Sequence, residues 1–244
     1  MKLYVVKNKQ ELSEKAYEIM METVKGASKV TLGLATGGSP IGIYELFRNN
    51  KPEVSHVRTI NLDEYIGLDK NHEQSYNYFM NDQLFNHLNF KETFVPNGAN
   101  SDLDAECKGY DAIIDRHGID LQLLGIGGNG HVAFNEPGTS FDFTTHVTDL
   151  VESTIDANSR YFENREDVPK TAITVGIKSI MDAKKILMIA YNDSKAQAIK
   201  EMIEGPVTTE IPASILQNHP DVTVIVDEDA AAMLSDETKN KYSV

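Results

Sequence analysis

The residues best suited to chemistry lie in one stretch. An apolar run ending at Leu124 gives way to Gly125, Gly127, Gly128, Asn129 and Gly130, then to His131 and, five residues later, Glu136. Glycines let backbone approach a ligand closely, and an imidazole changes protonation near neutral pH. A carboxylate this near in sequence can orient the ring or balance its charge. The pattern is that of catalytic groups at the C-terminal edge of a strand; the competing reading is a histidine that serves only the structure.

Gly125, Gly127 and Gly130 also satisfy G-x-G-x-x-G, the signature of dinucleotide folds. That signature needs a helix opening at the last glycine and an acid about 20 positions on, at the end of the next strand. Here Pro137 and Gly138 stop any helix early, Asp142 falls in a loop rich in Thr, Phe and Ser, and no strand-helix-strand unit separates Asp149 from the glycines. Nucleotide binding is the weaker reading.

Two other apolar runs end in loaded residues. Residues 30–34 lead into Thr36, Gly37, Gly38, Ser39 and Pro40, with Pro40 suited to the first position of a helix and Ser39 to its N-cap. Free N–H groups there carry about half a positive charge and suit a phosphate, although every capped turn has them. No Walker lysine follows, which argues against a nucleoside triphosphatase. Residues 57–62 lead into Asp63 and Glu64. Neighbours on an extended chain face opposite ways, so Asp63 would be a base and Glu64 would point elsewhere, unless both are merely solvated.

Two cations complete the set. Arg160 and Lys195 would each pass for surface residues, but Lys195 is expected in the first turn of a helix, where a cation opposes the macrodipole and an anionic ligand would account for it. A metal held by His131, Glu136 and Asp63 is not expected, because no second histidine sits at ligand spacing.

These groups require a scaffold that brings strand ends together. Residues 10–24 place Leu12, Ala16, Ile19, Met20, Thr23 and Val24 on one helical stripe. Apolar runs at 3–6, 30–34, 57–62, 121–126, 186–191 and 222–226 alternate with helical patterns at 40–49, 75–87, 103–117 and 194–204. This predicts a single α/β domain over 1–244, doubly wound, with a mostly parallel sheet covered by helices on both faces and a ligand at its carboxyl edge. With 37 acids against 23 bases, a net charge of -14, the chain repels nucleic acid and anionic membranes. One cysteine, no signal-peptide pattern and no membrane-spanning run suggest a cytoplasmic location.

The strings LGLATGGSP, NLDEYIGL, SYNYFMN, LLGIGGNGHVAFNEPGTS, ANSRYF, VPKTAITVGI and DSKAQA, in that order, resemble the glucosamine-6-phosphate deaminase family over nearly the whole chain. The resemblance implies a modified Rossmann-like fold, no metal or organic cofactor, and conversion of D-glucosamine 6-phosphate and water into D-fructose 6-phosphate and ammonia in amino-sugar catabolism. Carried onto this sequence, it makes Asp63 the base for enolisation, His131 the ring-opening acid and base, and Glu136 and Asn129 its supporting relay. It assigns the substrate phosphate to Thr36, Gly37, Gly38, Ser39, Arg160 and Lys195. The partner is thus a small sugar phosphate.

The chain departs from the family in two ways. Many relatives carry Asp where Asn129 stands, and a neutral amide cannot stabilise an imidazolium by charge, so more of that task falls to Glu136. The basic residues and longer tail used for allosteric activation elsewhere in the family are missing, which predicts an unregulated monomer or small homo-oligomer. Residues 152–170 are a candidate lid. The alternatives are a 6-phosphogluconolactonase-like hydrolase, which needs no base for a carbon acid, and a sugar-phosphate sensor that binds without turnover.

Overall fold

The computed structural model describes residues 1–244. Ten strands form in chain order: β1 (Lys2–Val6), β2 (Val30–Leu34), β3 (Val57–Asn61), β4 (Asp63–Tyr65), β5 (Glu92–Phe94), β6 (Leu121–Leu124), β7 (His146–Asp149), β8 (Thr171–Thr174), β9 (Ile186–Ala190) and β10 (Val222–Asp227). Eight α-helices accompany them: α1 (Lys9–Lys25), α2 (Ile41–Asn50), α3 (Tyr76–Gln83), α4 (Leu103–His117), α5 (Glu152–Asn158), α6 (Ile177–Met181), α7 (Ala196–Glu204) and α8 (Asp236–Tyr242). No helix is long and apolar enough to cross a membrane.

Seven strands form one parallel sheet in the order β1-β10-β9-β6-β2-β3-β5. From β2 the chain winds outward through β3 and β5, then returns to the other side of β2 with β6 and winds out through β9 and β10. The order therefore reverses between β2 and β6, where side chains and ligands find open space at the carboxyl edge. The near-continuous apolar runs of the sequence follow from burial on both faces. In β9, Ile186, Met188 and Ala190 pack into one core while Leu187 and Ile189 pack into the other.

Helix boundaries follow local chemistry. Asp102 caps α4 by accepting from the backbone N–H of Ala105, acids occupy the first turn, Arg116 and His117 occupy the last, and Gly118 ends it. Two expectations are corrected. The helix after the glycine turn starts at Ile41 with Pro40, not Ser39, at the cap position and no side-chain cap bond. The helix expected over 75–87 ends at Gln83, with a 3-10 turn over Phe85–His87.

The small antiparallel sheet β4-β8-β7 was not apparent from the sequence. It begins where β3 changes partners. The Leu62 N–H still donates to Leu34 of the main sheet, but its carbonyl accepts from Val175, and Asp63 then pairs with Thr174 of β8. A third core of Tyr65, Phe134, Leu150, Ile155, Val168 and Ala172 forms beneath this sheet and the candidate lid.

Candidate active site

The reversal between β2 and β6 opens onto a cavity of about 650 Å³, a size suited to a small metabolite. Thr36, Gly37, Gly38, Ser39, Asp63, Asn129, His131, Arg160 and Lys195 all line it. Glu136, the remaining residue singled out from the sequence, sits directly behind His131.

The two adjacent acids have opposite environments. Glu64 is only 2% exposed, and its carboxylate accepts from the backbone N–H groups of Tyr65, Tyr76 and Asn77, the last two in the first turn of α3. Asp63 is 6% exposed, faces the cavity and accepts no hydrogen bond from the protein. Neither acid is solvated. The strand alternation does turn them to different sides, as expected. Burial, followed by the charge of Glu64, pushes the Asp63 carboxyl up to about 8, the range of a carboxylate made basic by its site.

His131 and Glu136 are held by a tight turn. Asn135 is fully buried, and its amide donates to the carbonyls of Val132 and Val175. Ala133 takes φ of 52°, a conformation a β-carbon disfavours, and the chain doubles back to bring Glu136 under the imidazole. His131 Nδ1 lies 3.1 Å from Glu136 Oε2. Burial raises the Glu136 carboxyl, but bonding and charge from His131, with help from Thr154 and Asn129, leave it below the ordinary value. As an anion it only accepts, so the proton belongs on Nδ1, and Nε2 is free for proton exchange in the cavity. Gly127 has to be glycine, because a β-carbon there would meet the His131 ring at 2.5 Å.

Asn129 differs from expectation in how it acts. Its Nδ2 donates to the same Glu136 oxygen at 2.9 Å, and its Oδ1 accepts from the His131 backbone at 3.2 Å. It braces Glu136 with a donor, which an ionised aspartate could not provide.

At the other end of the cavity, Gly37 takes φ of 82° and turns the chain after β2. Arg160 and Lys195 line the same cavity. Burial, and then the charge of Arg160, hold the Lys195 ammonium below the ordinary lysine value. Two cations close enough for Arg160 to depress Lys195, in one cavity with a glycine turn, form a place for an anion.

Several residues at the cavity wall or behind it carry no role in the sequence analysis. Tyr76 stacks on Phe134 with ring centres 6.0 Å apart, and its hydroxyl meets that of Tyr65, which also accepts from Asn158 in α5. Lys9 of α1 donates to the Gly38 carbonyl and to the Tyr191 hydroxyl, both at 3.1 Å. No local signal reveals Lys9, since its partner is 182 positions away. Tyr76 had one: it lies in the string SYNYFMN, which follows the string that holds the Asp63-Glu64 pair. No group of three or more His, Cys, Asp or Glu side chains is arranged to hold a metal ion.

Comparison with known proteins is consistent along the whole chain. Residues 7–225 match the family model described as glucosamine-6-phosphate isomerases/6-phosphogluconolactonase. The glucosamine-6-phosphate deaminase of Lactobacillus helveticus is 55% identical over 98% of this chain and 100% of its own length. That of Exiguobacterium sibiricum is 52% identical over 98% and 95%. A solved monomeric glucosamine-6-phosphate deaminase superposes with a TM-score of 0.93 at 44% identity, covering 96% of this chain and all of that one. The 6-phosphogluconolactonase of Leishmania guyanensis shares the fold, with a TM-score of 0.77 at 18% identity over 96% and 98% of the two chains.

Proposed function

Since the chain belongs to the glucosamine-6-phosphate isomerase and 6-phosphogluconolactonase family, we propose that it is an enzyme converting D-glucosamine 6-phosphate and water into D-fructose 6-phosphate and ammonia. The observation that carries this reading is Asp63, a buried carboxylate with no hydrogen-bond partner, in one cavity with a His-Glu pair and an anion-suited turn. A lactonase would need an activated water but no base of this kind.

The phosphate is held by the Thr36 to Ser39 turn, Arg160 and Lys195, which sets the sugar across the cavity. His131 Nε2 takes the proton of the anomeric hydroxyl and returns one to the ring oxygen, opening the pyranose. Glu136, braced by Asn129, balances the imidazolium that forms in between. In the open chain the C2 proton lies next to a carbonyl and is acidic. Asp63 removes it and delivers it to C1, while the C1 oxygen takes a proton from the C2 amino group and becomes a hydroxyl, leaving an imine at C2 that water hydrolyses to the ketone and ammonia.

Residues 152–170 act as a lid within the single domain. Arg160 and Tyr161 reach the cavity from this segment, and Arg165 ties it to itself through Glu152 and Asp156. The similarity to a monomeric deaminase supports a chain that works as a monomer. A phosphorylated substrate crosses membranes poorly, which supports a cytoplasmic setting. The test is ammonia release from D-glucosamine 6-phosphate with and without N-acetylglucosamine 6-phosphate and a chelator. Turnover unchanged by either addition is expected; 6-phosphogluconolactone hydrolysis without ammonia release would replace this reading with the lactonase.

A further inference from the structure

The strap between β9 and α7 contains one of the three non-glycine residues at positive φ. Asn192 has φ of 71° and ψ of 164°, a region in which glycine is at home and other residues are rare. Lys51 is also at positive φ, but as an ordinary left-handed helix cap. The Asn192 side chain caps the following turn through Ser194, and its own backbone N–H is held from the neighbouring strand.

That hold comes from Asp227, the last residue of β10. β9 and β10 are parallel neighbours with Ala190 beside Val226, so Asp227 comes to lie next to the start of the strap. Its two carboxylate oxygens accept from the Asn192 N–H at 3.0 and 3.1 Å, and one also accepts from the N–H of Ala230 at 2.9 Å. Asp227 is only 8% exposed and has no cationic partner. This buried carboxyl group, held only by backbone donors, closes the turn and aims the Asn192 N–H inward.

Asn192 passes this constraint to Lys195. Its carbonyl accepts from the Lys195 N–H at 3.2 Å, while its Oδ1 accepts from both the backbone N–H and the hydroxyl of Ser194. Lys195 needs such support. Burial and Arg160 both disfavour its charged form, so an unrestrained side chain would move toward water and the cavity would lose a cation.

We infer that Asp227 is a positioning residue for the anion end of the cavity, holding Asn192 in a strained conformation that fixes Lys195 in its place. The inference rests on the proposed function and deepens it. It also predicts a specific suppressor, because glycine adopts the conformation of Asn192 without being forced into it.

The experiment compares wild type, Asp227→Ala, and the double variant Asp227→Ala with Asn192→Gly. In Asp227→Ala, KM for D-glucosamine 6-phosphate is expected to rise about tenfold or more, with kcat within about twofold, the pattern of lost binding rather than lost chemistry. In the double variant most of the KM loss is recovered. A KM equal to wild type in Asp227→Ala, or a loss that the glycine does not relieve, overturns the inference. Should Asp227→Ala fail to fold, Asp227→Leu, which fills the space but offers no acceptor, carries the same comparison. Wild-type ammonia release tests the proposed function separately. In its absence, titration of the same proteins with inorganic phosphate still decides the positioning role, with weaker binding in the single variant and recovery in the double expected.

Discussion

The two ends of the cavity are built on opposite principles. The acid end consists of Asp63 on one wall, its carboxyl raised by burial, and on another the half-buried His131 with the buried Glu136, whose carboxyl its hydrogen-bond partners hold down. The anion end consists of a glycine turn and two cations, an exposed Arg160 and a half-buried Lys195. Burial makes charge expensive and therefore adjustable, which proton transfer requires; two neighbouring cations beside a glycine turn leave positive charge unmatched, which suits capture and release of a phosphate. Substitutions at the first end should act on kcat, and those at the second on KM.

The sharpest test of this division is Asp63→Asn. It should lower kcat by about 10³-fold or more while leaving KM within a few-fold, measured by ammonia release and by exchange of the C2 proton with solvent. The same variant should be more stable than wild type at high pH. A buried acid whose folded-state value is raised favours folding fully below its unfolded value near 4, and that advantage is lost as pH rises through about 8. Thermal melts at pH 8.5 should therefore show Asp63→Asn higher by about 5 °C, with the difference shrinking by pH 5. An equal difference at both values would remove burial of charge as the cause.

Next in size is His131→Gln, expected to cost about 10²-fold in kcat on the cyclic sugar and much less on an open-chain analogue. Equal losses on both would detach His131 from ring opening. At the other end, Lys195→Met should raise KM about 10- to 100-fold with kcat nearly unchanged. A kcat effect as large as the KM effect would break the division between the two ends.

The smallest effect is expected from Glu64→Gln. Activity requires Asp63 ionised, so kcat/KM in wild type should rise with pH and level off above about 8. Removing the Glu64 charge lowers the Asp63 value, so in Glu64→Gln the rise should move to lower pH by less than about one unit. A shift in the other direction would mean that Glu64 stabilises the Asp63 anion rather than opposing it.

The parallel sheet was legible because apolar runs such as residues 186–190 and 222–226 are buried on both faces and carry little else. The short strands β4, β5, β7 and β8 were not, since three or four residues give too little periodicity, and β7 alternates only between exposed and half-buried positions. Ser39 was read as a cap on its type alone, but at the start of α2 the backbone bonds from Ile43 and Tyr44 go to the Pro40 carbonyl. Asp63 and Glu64 stood out as a pair, yet their burial depended on Leu62 changing sheets, which no local pattern encodes.

By itself the sequence determined the scaffold and the identity of the groups, because hydrophobic periodicity and residue chemistry are local properties. It placed the His131-Glu136 pair correctly because five residues and a tight turn bring them together. The tertiary structure alone decided that Asn129 donates to Glu136, that Asp63 is left without a partner while Glu64 receives three, and that Lys9 and Asp227 brace the anion end from strands and helices far away in the chain. Partner choice and burial depend on which segments meet across the sheet, and that is settled by packing of the whole chain.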